Sequence, residues 1–231
     1  MAVAAAGAAL ALLFCALGAW QLQRLAWKNA LVARVTAAAH APPVDAPGPA
    51  QWSRAPEMEY RRVQARGRFL HRHEALVPAV TALGGGYWVM TPLRAGDGVV
   101  IYVNRGFVPP DRKSPASRGA PPPEGEVTVS GLLRLPEPGG GFLRRNDPAA
   151  DRWYSRDVVA MARRAGLSPV APWFIDAAAA PDARGYPVGG LTRLRFSNSH
   201  LVYALTWFAL ALLSLAGAVV ALRHGRDDGP A

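Results

Sequence analysis

Apolar residues gather in two runs near the ends of the chain. Met1 to Trp20, MAVAAAGAALALLFCALGAW, carries no charged side chain, and Leu201 to Leu222, LVYALTWFALALLSLAGAVVAL, repeats that pattern. About 20 apolar residues of helix cross the hydrocarbon core of a bilayer. The second run also has interfacial markers: Tyr203, Trp207 and Phe208 lie near its start, and Arg223, His224 and Arg226 follow its end. That is how a spanning helix is held at its two interfaces. The first run has two readings. As a signal peptide it would use Ala16-Leu17-Gly18 as a small-residue cleavage site, but it lacks a basic start and exceeds the usual apolar length. It also continues into an amphipathic stretch, Gln21 to Val35, with Arg24, Lys28 and Arg34. No Arg- and Ser-rich transit segment precedes it.

Between the runs the pattern changes. Ala37 to Pro56 reads as an aperiodic Pro/Ala linker. Short β-type segments follow: Tyr60 to Phe69, Glu74 to Val80, Tyr87 to Leu93 after a Gly84-Gly85-Gly86 turn, Val99 to Val103 as a central strand, and Val127 to Leu133. Ser155 to Ala165 has helical spacing closed by Gly166. Ala171 to Ala177 and Leu191 to Phe196 are expected to be further strands. Pro109 to Gly125 and Pro136 to Pro148 read as solvated loops. The fold class that results is an α+β membrane protein. Its two transmembrane helices, N- and C-terminal, flank a β-rich domain with one short helix. The expected segments are transmembrane helix 1 (1–22), an amphipathic extension and linker (23–56), the β-rich domain (57–198), transmembrane helix 2 (199–222) and a tail (223–231).

Composition narrows the function. The 231 residues include 26 Lys plus Arg, 16 Asp plus Glu and one Cys. A single cysteine excludes an intrachain disulfide, a zinc ribbon and C-x-x-C redox or haem-attachment motifs. The net charge of +10 lies entirely between the two apolar runs. Taken simply, it would place that region in the cytoplasm, but the positive-inside rule does not govern a loop of this length. Charge therefore leaves the orientation open; two spans around one loop require both termini on one side.

Enzyme signatures are absent: no phosphate-binding glycine loop opens a helix, and there is no G-x-S-x-G or H-E-x-x-H. His71 and His73 have a metal-like spacing but no third ligand nearby, so exposed turn histidines are the simpler reading. His200 stands at the mouth of the second apolar helix, with Tyr203 and Trp207 on roughly the same face. An ionisable side chain there is a functional candidate, and imidazole is a common haem iron ligand. An interfacial histidine beside an aromatic belt is the other reading.

Three elements occur in order: Gly18-Ala19-Trp20-Gln21 with Arg24; Val103-Asn104-Arg105-Gly106-Phe107-Val108-Pro109; and Asn198-Ser199-His200 with Tyr203-Ala204-Leu205-Thr206-Trp207-Phe208. With Tyr60-Arg61-Arg62-Val63 and Gly67-Arg68-Phe69, they resemble the surfeit locus protein 1 family of cytochrome c oxidase assembly factors. The likeness runs from Leu17 to about Leu215. It implies a two-pass protein with the first helix retained and a β-rich extracytoplasmic domain facing the bacterial periplasm or the mitochondrial intermembrane space. With no transit segment in view, the expectation is a bacterial inner membrane, the central domain periplasmic and both termini cytoplasmic. It also implies a non-catalytic role: transient binding of haem a and help with its insertion into oxidase subunit I.

His200 is then the iron-ligand candidate, with no other metal expected. Tyr203, Trp207, Trp20, Arg24 and Lys28 are supporting candidates, the basic pair facing propionates or anchoring at the interface. Asn104, Arg105 and Gly106 are a structural motif, expected as a turn in which Gly106 adopts a conformation cheap only for glycine. Expected partners are oxidase subunit I, haem a synthase and the lipid bilayer, with no nucleic acid. The alternative is a structural chaperone for immature subunit I that carries no haem.

Overall fold

The computed structural model describes residues 2–141, 143–179, 185–192 and 198–227. It divides into two compact units: residues 1–34 with 194–231, which hold the two long helices, and Val35–Arg193, which holds the strands.

In the helical unit, α1 runs unbroken over Ala2–His40. No proline interrupts it before Pro42-Pro43, so residues 23–40 belong to the same helix as 2–22, and the expected linker shrinks to the residues after His40. At 1.5 Å per residue α1 is about 58 Å long, so only part of it fits a hydrocarbon core of about 30 Å. The other long helix, spanning His200–Asp227, is α3 in chain order. Both are long and apolar enough to cross a membrane.

The two helices pack antiparallel. Gly7 lies against Ser214 and Ala218, and Gly18 lies against Phe208. On α1 the inward positions include Ala4, Gly7, Ala11, Phe14, Gly18 and Gln21; on α3 they include Ala204, Trp207, Ala211, Ser214 and Ala218. These alternate three- and four-residue steps, the 3.5-residue period of a left-handed coiled pair. Small residues allow close backbone approach, the means by which membrane helices associate without a hydrophobic driving force. A methyl on Gly7 would sit 2.9 Å from Ala218 Cβ, and one on Gly18 2.7 Å from the Phe208 ring. Phe14 and Trp207 stack with centroids 5.6 Å apart. Leu12, Leu13, Leu212 and Leu213 point outward and are exposed, as lipid-facing positions should be.

The β unit contains β1 (Val44–Asp45), β2 (Arg62–Phe69), β3 (Ala75–Thr81), β4 (Gly84–Ala95), β5 (Val100–Val108), β6 (Val127–Arg134), the two-residue strands β7 (Gly140–Gly141) and β8 (Arg144–Arg145), the helix α2 (Val158–Arg164) and β9 (Val170–Ala177). β7 and β8 pair only with each other; the other strands form one sheet in the order β1-β2-β6-β9-β5-β4-β3. β2 also pairs with β4, so β2, β6, β9, β5 and β4 close into a five-stranded barrel. Pairing is antiparallel except for β1 with β2 and β5 with β9. Closure removes exposed sheet edges.

Side-chain alternation explains the barrel. Val63, Leu93, Ile101, Val103, Leu133, Trp173 and Ile175 fill its interior. Val100, Tyr102 and Phe174 point the other way, against Val158, Met161 and Ala162 of α2. Trp173 is fully buried; truncation of such a residue to alanine costs about 3–5 kcal/mol. α2 begins at Asp157, whose side chain accepts from the Ala160 N–H at 3.1 Å, and ends before Gly166 at φ +65°.

Several sequence expectations shift. Gly84-Gly85-Gly86 is not a turn but the start of β4, paired with Thr81, Val80 and Ala79. Asn104-Arg105-Gly106 is likewise inside β5. The β unit begins upstream of residue 57, because β1 pairs with β2 and a 3-10 segment at Pro49–Met58 packs Ala55 into the core. The expected strand at Leu191–Phe196 falls mostly outside the described residues.

Candidate functional site

In the helical unit, His200 is the first residue of α3. It is half-buried, and its Nδ1 lies 2.8 Å from Gln21 Oε1. Gln21 is buried on the inner face of α1, three residues beyond the close-contact Gly18. An amide oxygen only accepts, so Nδ1 is the donor in this contact and Nε2 is the ring nitrogen outside it. This is how a metal-ligating histidine is oriented by a partner behind it. The start of α3 is further fixed by Asn198, whose Nδ2 donates to Asn29 Oδ1 at 2.9 Å and whose Oδ1 accepts from the His200 N–H at 3.4 Å.

The supporting candidates are distributed unevenly. Trp207 is taken up in packing against Phe14. Tyr203 and Trp20 are about half exposed. Arg24 lies over the Trp27 ring at 4.6 Å, an intrahelical cation–π contact. Lys28 lies one turn beyond Arg24 and is half-buried. His200 and Gln21 are the pair brought into hydrogen-bond contact. Among the described residues no group of three or more His, Cys, Asp or Glu is placed to hold a metal ion. His71 and His73 lie in a short 3-10 turn and are half-buried, with His71 Nε2 at 2.9 Å from the Pro123 carbonyl.

In the β unit, Asn104 and Gly106 serve the framework. Asn104 Nδ2 donates to Asp176 Oδ1 at 2.8 Å, and its Oδ1 accepts from the Gly106 N–H at 3.1 Å. Asp176 is buried and also accepts from Arg134 at 3.2 Å, Arg156 at 3.3 Å and Thr192 at 3.1 Å. Arg156 in turn binds Glu137. Burial alone would raise the Glu137 carboxyl, but hydrogen bonds and charge from Arg156 outweigh it and hold it below the ordinary value. The same partners, with Asp176, keep Arg156 above its ordinary value against the pull of burial.

Arg105 lies over the Phe69 ring at 5.2 Å and 3.9 Å from Glu74. Glu74 is held by Arg118 at 2.7 and 3.0 Å. Arg118 comes from the loop expected to be solvated, yet it is buried. Burial pulls the Arg105 guanidinium below its ordinary value, opposed by Glu74 and reinforced by Arg118.

Asp176, Glu74 and Arg118 were not singled out by sequence, and Gln21 entered only within the Gly18-Ala19-Trp20-Gln21 motif, with no role assigned. For Gln21 a signal existed: it continues the series 4, 7, 11, 14, 18 at coiled-pair spacing. The others are joined to their partners by barrel closure, which leaves no local pattern.

Two long apolar helices and a β barrel bearing one short helix define a two-pass membrane protein of the α+β class. The chain belongs to the surfeit locus protein 1 family, a family of cytochrome c oxidase assembly factors; the SURF1 family pattern matches residues 8–212. It is similar to Surfeit locus protein 1 of Homo sapiens, 39% identical over 212 residues covering 84% of this chain and 69% of the relative. Surfeit locus protein 1 of Rattus norvegicus is 37% identical over 210 residues, covering 84% and 67%. That of Takifugu rubripes is 35% identical over 212 residues, covering 84% and 86%.

Proposed function

We propose that this chain is a non-catalytic assembly factor that holds haem a transiently through His200 and assists its insertion into cytochrome c oxidase subunit I. The carrying observation is the hydrogen bond between His200 Nδ1 and Gln21 Oε1 at 2.8 Å. It engages Nδ1 and leaves Nε2 outside that contact, at the start of a membrane helix. The donor set fits haem: the porphyrin supplies four nitrogens of its own, so one oriented imidazole is what the protein must add. Haem a also carries an apolar tail that partitions to the membrane. His200 would bind the iron, Gln21 would keep the ring oriented, and the exposed faces of Trp20 and Tyr203 would offer apolar contact. Release to an acceptor is served by a single protein ligand rather than a closed cage.

The test is haem a content and absorbance of the detergent-solubilised protein from cells that make haem a. His200→Ala is expected to lose or shift the haem a bands while the protein stays folded, and Tyr203→Phe to change them less. Gln21→Leu should weaken binding by about tenfold, the lower end of the effect of removing the partner behind a metal-bound histidine. Wild-type haem content in His200→Ala would overturn the ligand assignment and favour the structural-chaperone reading.

The family resemblance supports placing the β unit in the periplasm of a bacterial inner membrane, with both termini cytoplasmic and haem a synthase as a second partner. Alkaline phosphatase fused after Pro123 should be active; an inactive fusion that is stably produced would reverse the orientation.

A further inference from the structure

The barrel is not sealed at every point. β9 ends at Ala177; past it the Ala178 N–H still donates to the Ser130 carbonyl and Val188 pairs with Phe107, but among the described residues no strand lies between β5 and β6. A cleft of about 510 Å³ opens there, reaching inward to Val103 of the barrel core and outward to Thr128 and Ser130. That volume is the size of a small-molecule site, and barrel mouths are common positions for one.

Its chemistry is one-sided. The described lining residues include two guanidiniums, Arg62 and Arg105, and no carboxylate. Arg105 is nearly buried, and its neighbour Glu74 already takes two short bonds from Arg118. Arg62 makes no ion pair among the described residues. Among the described residues the Ser130 hydroxyl is buried without a hydrogen-bond partner, and an unsatisfied buried polar atom calls for an explanation. Gln64 pairs with Ser130 across β2 and β6, so Arg62 is the diagonal neighbour of Ser130 on the same face. The remaining walls are mostly apolar, with Phe69, Val129, Tyr186 and Pro187 among them.

We propose that this cleft binds a small organic carboxylate with an apolar body, its acid group met by Arg62 and the Ser130 hydroxyl on the outer side, with Arg105 adding positive charge at the inner end. A phosphate suits the site less well, because the charged groups share the lining with apolar side chains that would strip water from a dianion. The assignment does not depend on haem binding at His200.

The test uses the detergent-solubilised full chain and ligand-observed NMR, with protein-free micelles as baseline. 3-Phenylpropionate is the probe, and neutral 3-phenylpropanamide and inorganic phosphate are the comparisons. The acid is expected to bind saturably, at least about tenfold more tightly than either comparison, as loss of a charged hydrogen bond predicts. Arg62→Met should weaken it by about tenfold, and Arg105→Met and Ser130→Ala each by a few-fold. Arg62 is half-exposed, so Arg62→Met decides the matter if Arg105→Met fails to fold. No saturable binding of the acid, equal binding of the amide, or unchanged affinity in folded Arg62→Met would overturn the proposal. Tighter binding of phosphate would do the same.

Discussion

Gly106→Ala isolates the demand that the barrel makes on one backbone position. Gly106 lies inside β5 at φ +128°, a region that residues with a Cβ avoid. A Cβ built there would lie 2.2 Å from the Val188 carbonyl oxygen, 2.3 Å from its carbon and 2.6 Å from Gly189 N. All three are backbone atoms, so no side-chain rotation relieves the clash. Backbone strain contributes about 1–3 kcal/mol, and forcing extra volume into a packed site about 1–3 kcal/mol. The displaced segment also carries the reciprocal Phe107 and Val188 hydrogen bonds, both 2.9 Å, each worth about 1 kcal/mol. A loss of about 4 kcal/mol is expected. At 2–4 °C per kcal/mol for a chain of this size, the melting temperature should fall by roughly 8–16 °C. Gly84→Ala is the control: its φ is +97° but nothing lies within 4 Å of the added methyl, so strain alone remains, about 1–3 kcal/mol. The assay is thermal unfolding of both variants in the same detergent. Equal shifts for the two, or a Gly106→Ala shift below about 2 °C, would refute the close-approach argument.

The buried charges give two further expected outcomes. Asp176→Ala should destabilise the β unit by about 3–5 kcal/mol in denaturant unfolding, because it strands Arg134 and Arg156 without their shared carboxylate; a change under about 1 kcal/mol would show that the network is solvated. The Glu137 carboxyl is held below its ordinary value of 4.5 in the folded chain, so its pairing with Arg156 stabilises above about that pH and is lost as pH falls through the depressed folded value. Glu137 is partly exposed, so the effect is modest. Wild type should lose more stability than Glu137→Gln between pH 5 and pH 3, and parallel pH profiles would remove Glu137 from the account.

The local pattern of the chain determined what depends on neighbours in sequence. Two charge-free runs of spanning length specify two long helices, because hydrocarbon accepts no unpaired backbone. The nearly continuous β-branched run at Val99 to Val103 specifies a buried strand, and Asp157 with Gly166 brackets a short helix. His200 stood out as a candidate because an ionisable side chain at the mouth of an apolar helix invites a functional reading, beside that of an interfacial histidine. The tertiary structure decided what depends on closure and pairing. Arg118 looked like a loop residue until Glu74, 44 positions away, drew it inside. Asn104-Arg105-Gly106 looked like a turn because strand pairing with β9 and the approach of Val188 leave no local trace. Asp176 gathers partners from four other segments, and Gln21 meets His200 across 179 residues. Such contacts arise from antiparallel helix packing and barrel register, which are properties of the folded chain as a whole and of no short stretch within it.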